Sequence, residues 1–146
     1  RKSTISHLLV ALQFTAIAII AWPFFDQPDG RLSWLAISAV GIIVGLYTLA
    51  HNKLGNFGIY PEPIPDACLV TTGPYRWIRH PMYTSLLLVM AGIVLYRHAW
   101  PNYLGMGLLT IAIFGKMHRE EGHLHEKFAD YSEYVRRTHR LLPKIY

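Results

Sequence analysis

Residues 5–25 read Ile5-Ser-His-Leu-Leu-Val-Ala-Leu-Gln-Phe-Thr-Ala-Ile-Ala-Ile-Ile-Ala-Trp-Pro-Phe-Phe25, without a single charged side chain. At about 1.5 Å of rise per residue the stretch matches the roughly 30 Å hydrocarbon core of a bilayer, and His7, Gln13 and Thr15 are its notable polar groups. It predicts a membrane-spanning helix. Arg1 and Lys2 ahead of an apolar run would also suit a secretory signal. The run ends in bulky Trp22-Pro23-Phe24-Phe25 rather than small residues, so a retained helix is expected.

Working outward, residues 32–50 form a second uncharged stretch of similar length. Its Gly41-Ile-Ile-Val-Gly45 segment sets two glycines a turn apart on one face, where another helix can come close. Residues 82–96 and 103–115 are shorter, and neither reaches about 20 apolar residues unless the linker Arg97-His98-Ala99-Trp100-Pro101-Asn102 contributes. A tight helical hairpin is expected. Pro101 can open its returning helix in the first turn, with Tyr96, Trp100 and Tyr103 at headgroup level.

The chain of 146 residues is 52% hydrophobic and only 16% charged, where soluble domains carry about a quarter. The expected fold is therefore an all-α integral membrane protein. It would have about four transmembrane helices, a cytoplasmic loop and an amphipathic C-terminal helix, in one domain over residues 1–146. No internal repeat or low-complexity tract is visible. Of the 14 Lys and Arg residues, only Arg31 and Arg97 fall in the two loops that would face outward. Arg1, Lys2, Lys53, Arg76, Arg79 and all seven beyond residue 115 lie on the other side, which predicts cytoplasmic termini and central loop. The net charge of +5 then follows from topology and anionic headgroups rather than nucleic acid, for which no module is present. Cys68 is the only cysteine, so no intrachain disulfide can form, and Asp66-Ala67-Cys68-Leu69 offers no base to activate it.

Residues 51–81 contain Gly55, Gly58, Pro61, Pro63, Pro65, Gly73, Pro74 and Pro81, which prevent long helices. Irregular segments of that length are usually functional or disordered. Tyr60, Leu69, Val70, Tyr75, Trp77 and Ile78 make this one too apolar for disorder. After Gly115, Glu120, Leu124 and Phe128 are spaced by four, and Tyr131, Tyr134 and Val135 continue the stripe. The spacing predicts an amphipathic helix with an aromatic face, ending near Thr138, and the simplest place for it is the headgroup boundary.

Two clusters suggest more. Glu120 and Glu121 sit just beyond the fourth apolar stretch, where carboxylates are costly without a cation, and Arg79 and His80 sit just before the third. If the hairpin sets those helices side by side, the clusters converge, either as an ion pair closing its base or as a polar pocket under the central loop and the tail.

Leu69-Val-Thr-Thr-Gly-Pro-Tyr-Arg-Trp-Ile-Arg-His-Pro-Met-Tyr83 resembles the signature of the isoprenylcysteine carboxyl methyltransferase family, shared in part with phospholipid N-methyltransferases. That family's Arg-His-Pro-x-Tyr, hydrophobic hairpin and paired glutamates are matched by Arg79, His80, Pro81, Tyr83, Glu120 and Glu121. Its tail is similar to Tyr131-x-x-Tyr134-x-x-x-Thr138-x-Arg140-Leu-Leu-Pro143. The resemblance covers residues 69–143, with two departures: Ser85 stands where glycine is common, and the tail is one residue shorter before Tyr131.

The resemblance implies S-adenosylmethionine-dependent methyl transfer to a lipophilic acceptor at the cytoplasmic face, such as a prenylcysteine carboxylate. By the same resemblance Thr72, Gly73, Tyr75, His80, Pro81, Tyr83, Ser85, Glu120 and Glu121 would bind the cofactor. Glu120 or Glu121 would take its amine or ribose hydroxyls, and His80 its carboxylate. Tyr75 and Tyr83 would face its cation, and backbone near Thr72 and Gly73 its adenine. Arg79 would anchor an acceptor carboxylate, whereas an amine acceptor would need a base such as Glu121 or His80. Glu121→Gln and His80→Ala are expected to weaken cofactor binding without unfolding the protein.

Amine methylation of a phospholipid is the alternative within this chemistry. Sterol reductases are similar in fold and bind a nicotinamide cofactor, but no dinucleotide fingerprint stands here. Outside it, a non-catalytic scaffold would fold yet not bind S-adenosylmethionine, and a haem protein would show a Soret band. No metal site is expected, because His118, His123 and His125 do not share a helical face.

Overall fold

The computed structural model describes residues 2–25, 27–52, 56 and 58–146; Arg1, Lys53 and Gly55, which enter the charge and loop readings above, lie outside that set. Among the described residues five α-helices follow in order: α1 (Thr4–Ala21), α2 (Leu35–His51), α3 (Pro81–Arg97), α4 (Trp100–Lys127) and the short α5 (Tyr131–Arg136). Single 3₁₀ turns at Leu32–Trp34 and Gly73–Arg76 lead into α2 and precede α3. Among the described residues there is no strand, and one isolated parallel bridge joins Ile78 to His139.

The start of α1 is set by Ser3, whose hydroxyl accepts from the Ser6 backbone N–H at 3.2 Å. It stops at Ala21 rather than running to residue 25, because Pro23 cannot continue a helix and Trp22 takes an extended conformation ahead of it. Thr4–Ala21 and Leu32–His51 are long and apolar enough to cross a membrane. Their outer faces leave large apolar side chains uncovered, such as Leu8, Phe14, Ile43 and Leu46.

The helices pack most closely in two pairs, α1 with α4 and α2 with α3, and a shorter seam joins α3 to α4. Ala16 and Ile20 of α1, Val94 of α3, and Leu109 and Ile113 of α4 form the buried core. The two glycines of α2 meet α3: the Ser85 hydroxyl donates to the Gly41 carbonyl at 2.6 Å. A Cβ on Gly41 would come within 2.8 Å of the Val89 backbone nitrogen. Gly41→Leu therefore forces the pair apart and should cost about 1–3 kcal/mol. Thermal unfolding in detergent checks this; a melting temperature equal to the wild type's would show that the seam is looser than its geometry.

His98, in the left-handed region at φ 52°, turns the chain between α3 and α4, and Pro101 opens α4 in its first turn as its sequence position suggested. At this end of the bundle Gly30 N–H donates to the Tyr96 carbonyl at 2.9 Å. Buried Asn102 donates to the Ile19 and Ile20 carbonyls at 3.1 and 3.0 Å, satisfying groups that the end of α1 leaves unpaired. The N-terminus, the central segment and the tail gather at the opposite end.

There the structure departs from the sequence expectation. α4 is 28 residues long and runs on past its apolar part to Lys127, so Glu120 and Glu121 belong to it. The continuous amphipathic helix expected to end near Thr138 is instead broken at Phe128, whose extended conformation ends α4 before the six-residue α5. Beyond α5 the chain lies along residues 77–80: His139 N–H donates to the Trp77 carbonyl, Arg79 N–H to His139 and His80 N–H to Arg140, at 2.9, 2.7 and 3.0 Å. This pairing satisfies backbone donors just ahead of α3, where Pro81 has no N–H to continue a ladder.

Candidate active site

Arg79 and His80 arrive at the start of α3 in a segment ordered by Gly73. That residue has φ +58°, and a Cβ there would lie 2.3 Å from the His51 ring. Glu121 comes from α4, and the two elements meet. Its Oε1 accepts from Arg79 Nε at 2.9 Å and from His80 Nε2 at 3.1 Å, and its Oε2 accepts from Arg140 Nε at 3.1 Å. Burial works to raise the Glu121 pKa, but the hydrogen bonds from His80 and Arg79 outweigh it and hold the carboxyl at about 2. The Arg79 Nη1 donates to the Thr138 and Val135 carbonyls at 2.8 and 3.3 Å, capping the end of α5.

Arg79 is thus committed to Glu121 and the tail, with its side chain only 7% exposed, and does not present a free charge to an acceptor carboxylate. The cause is the folded-back tail, which delivers carbonyls where a substrate anion was expected.

Glu120, one residue earlier, turns elsewhere. Its Oε2 accepts from the Tyr83 hydroxyl at 2.7 Å, and Tyr83 stacks on His80 with ring centroids 5.5 Å apart. Both line a cavity roofed by residues 58–70 and closed on the far side by Leu124, Phe128, Tyr131 and Tyr134. Tyr75 forms another wall; its hydroxyl accepts from Asn52 Nδ2 at 2.9 Å, and burial pushes its pKa up to about 12. The Tyr134 hydroxyl donates to the Tyr75 carbonyl at 2.7 Å. Glu120, Leu124, Phe128, Tyr131 and Tyr134 of the expected stripe line this cavity together, without Val135 and across the break at Phe128 rather than along one helix.

The expected binding residues therefore divide. Tyr75, His80, Pro81, Tyr83 and Glu120 line the cavity together with Arg79. Glu121 lies behind them, hydrogen-bonded to Arg79, His80 and Arg140. Thr72 uses its carbonyl to accept from Tyr75 N–H, Gly73 is packed on His51, and Ser85 faces α2, so none of these three lines it.

Sequence reasoning passed over the roof's fastenings. Glu62 accepts from Ser3 N–H at 3.3 Å and from the Ser6 hydroxyl, with Arg119 4.0 Å away, and Lys127 Nζ donates to the Ile64 and Pro65 carbonyls at 2.8 and 3.0 Å. No spacing in the sequence announced them. Arg140, the third partner of Glu121, and the wall tyrosines stood inside the tail motif, where Tyr131, Tyr134 and Thr138 at i, i+3 and i+7 share a helical face.

The pH response of the Glu121 network has a definite sign. Because the carboxyl is depressed from the ordinary value of about 4.3, its contribution is complete above that value and is lost as pH falls through about 2. The melting temperature of the wild type should fall relative to that of Glu121→Gln between about pH 4 and pH 2, and parallel profiles would contradict the linkage.

The described residues thus form an apolar helical bundle with Arg79, His80, Glu120 and several aromatic side chains around a cavity at one end. The model of the phospholipid methyltransferase family matches residues 32–131, from the start of the second apolar stretch to the first residue of α5, and the chain belongs to that family of membrane methyltransferases. Among curated proteins it is similar to the nickel-cobalt-cadmium resistance protein NccN of Alcaligenes xylosoxydans xylosoxydans, 27% identical over 112 residues, covering 75% of this chain and 53% of that protein. It is also similar to the cobalt-zinc-cadmium resistance protein CzcN of Cupriavidus metallidurans, 31% identical over 146 residues, covering 95% and 65%. The chain thus spans less than two thirds of either relative.

Proposed function

We propose that this chain is an S-adenosylmethionine-dependent methyltransferase that crosses the membrane four times and works on a lipophilic acceptor at the cytoplasmic face. The observation that carries the reading is the cavity itself, where the start of α3 and the extension of α4 bring His80, Tyr83 and Glu120 together under residues 58–70. The donor set fits the cofactor. Tyr75, Tyr83 and Phe128 offer aromatic faces to a sulfonium and to adenine, and Glu120 offers a carboxylate to its positive groups.

S-adenosylmethionine, when bound, supplies an electrophilic methyl group. The protein's own residues align and desolvate. Tyr83 holds Glu120 in place, Glu121 keeps His80 oriented through Nε2, and the strapped roof excludes water from the transfer. α3 has 17 residues, about 25 Å of helix, which is enough for a thin span with Arg97 and Trp100 at its outer end.

An amine acceptor suits the cavity better than a carboxylate. Among the described residues lining it, Arg79 is the guanidinium and is held by Glu121, whereas Glu120 is not neutralised by a direct ion pair and can take the amine's proton. This favours a phospholipid amine over a prenylcysteine carboxylate. Among the described residues no three His, Cys, Asp or Glu side chains gather as a metal site, so we read any part in metal resistance as running through methylation of a membrane component. The test is transfer of radiolabelled methyl from S-adenosylmethionine by the purified protein to phosphatidylethanolamine, a prenylcysteine and a quinone. Label should enter the amine lipid first; no donor-dependent incorporation into any of them overturns the reading.

A further inference from the structure

Asn52 ends α2 and Asn56 follows one turn of chain later, and neither belongs to a motif that the sequence offered. Asn56 clasps the roof at Cys68: its Oδ1 accepts from the Cys68 backbone N–H and its Nδ2 donates to the Cys68 carbonyl, both at 3.0 Å. A backbone N–H can only donate and a carbonyl can only accept, so the Asn56 amide has one orientation. Its Nδ2 also donates to Asn52 Oδ1 at 2.7 Å, which leaves the Asn52 nitrogen to donate to the Tyr75 hydroxyl oxygen at 2.9 Å. Turning the Asn52 amide over would set two N–H donors against each other. The polarity fixed at the Cys68 backbone is thereby carried through two side-chain amides to the Tyr75 oxygen.

A phenol has one hydrogen to give, and the side of the Tyr75 oxygen that faces Asn52 is taken by an N–H. The Tyr75 hydrogen therefore points away from Asn52, and among the described residues it meets no acceptor. Asn52, Asn56, Cys68 and Tyr75 all line the cavity, so the chain of bonds runs along its wall and ends there on a donor. Burial raises the Tyr75 pKa to about 12 against the pull of the Asn52 bond, and the Glu120 carboxylate adds to the rise, so the phenol keeps its proton at neutral pH. A negative charge felt at the phenol also disfavours an anionic partner for its hydrogen.

We infer that Asn52 and Asn56 are positioning residues that fix Tyr75 as a hydrogen-bond donor to an uncharged acceptor atom of the ligand in this cavity. This rests on the methyltransferase reading above and adds two residues that lie outside the Arg-His-Pro-x-Tyr segment and the glutamate pair. Two sources share the chemistry: a ring nitrogen of the methyl donor's adenine, and an ester carbonyl of an amine lipid.

The experiment is a double-mutant cycle of Asn52→Asp and Tyr75→Phe in the purified full chain, read by equilibrium binding of S-adenosylmethionine and of short-chain phosphatidylethanolamine. The carboxylate that Asn52→Asp introduces still accepts from Asn56 but has no N–H, so it takes the phenol hydrogen and turns it from the cavity. Each single variant should lose about tenfold in affinity for the same probe, S-adenosylmethionine if adenine is the partner and phosphatidylethanolamine if the ester is. In the Tyr75→Phe background Asn52→Asp should add no such loss, because no hydrogen is left to redirect; any effect of the added charge alone is read there. An equal effect of Asn52→Asp in both backgrounds, the mark of a merely structural asparagine, overturns the inference. Should Asn52→Asp not fold, Tyr75→Phe decides: unchanged affinity for both probes overturns the inference while the methyltransferase reading stands. Failure of the folded wild type to bind S-adenosylmethionine overturns both.

Discussion

Glu121→Gln should unfasten the tail. The substitution leaves Arg79, with 7% of its side chain exposed, and buried His80 without the carboxylate that both donate to, and frees Arg140 from its partner. Removing one member of a buried charge cluster costs about 3–5 kcal/mol, because the remaining charges stay out of water uncompensated. The loss should be directional: the Arg79 bonds to the Val135 and Thr138 carbonyls loosen, and with them the pairing of residues 139 and 140 along the segment that leads into α3. Limited trypsin digestion should then cut at Arg136 and Arg137 well below the melting temperature of the bundle. This revises the sequence-based expectation that the variant would lose cofactor affinity alone. A wild-type melting temperature and a protease-resistant tail would show that Glu121 is not the tail's anchor.

Glu120→Gln should do the opposite. Glu120 is half-buried at the cavity wall, and its hydrogen-bond partner among the described residues is the Tyr83 hydroxyl, which a glutamine oxygen can still receive. Stability should therefore change by less than about 1 kcal/mol. Binding of a cationic ligand should fall by about a hundredfold, since a hydrogen-bonded charge pair out of bulk water is worth about 2–5 kcal/mol once truncated. The pair of variants separates two neighbouring glutamates by phenotype, one failing in stability and the other in binding. If Glu120→Gln bound S-adenosylmethionine as the wild type does, the carboxylate in the cavity would have no part in ligand capture.

The division between those glutamates is also where the sequence ran out. Adjacent residues of a helix point about 100° apart, and nothing in Glu120-Glu121 says which of two directions is the cavity and which the core. The answer depends on Arg140, which reaches Glu121 only because the chain breaks at Phe128 and returns. That return is a pairing of residues 139 and 140 with 77–80, some sixty positions apart, and local periodicity carries no trace of it. The stripe from Glu120 to Tyr134 was legible as a face; its neighbour was not. By contrast, the uncharged runs announced α1 and α2, and Pro101 announced the first turn of α4, because those features are decided by the residues themselves. Gly41 and Gly45 gave the α2 contact face, and only the packing showed that its partner is Ser85, which the family resemblance had assigned to the ligand.

Calorimetric titration of S-adenosylmethionine into the purified protein in detergent tests most directly whether a methyl donor is held between the start of α3 and the extension of α4. Saturable one-to-one binding is predicted, weakened about a hundredfold in Glu120→Gln at an unchanged melting temperature. A folded wild-type protein that takes up no S-adenosylmethionine, or one whose affinity is indifferent to Glu120, would contradict it.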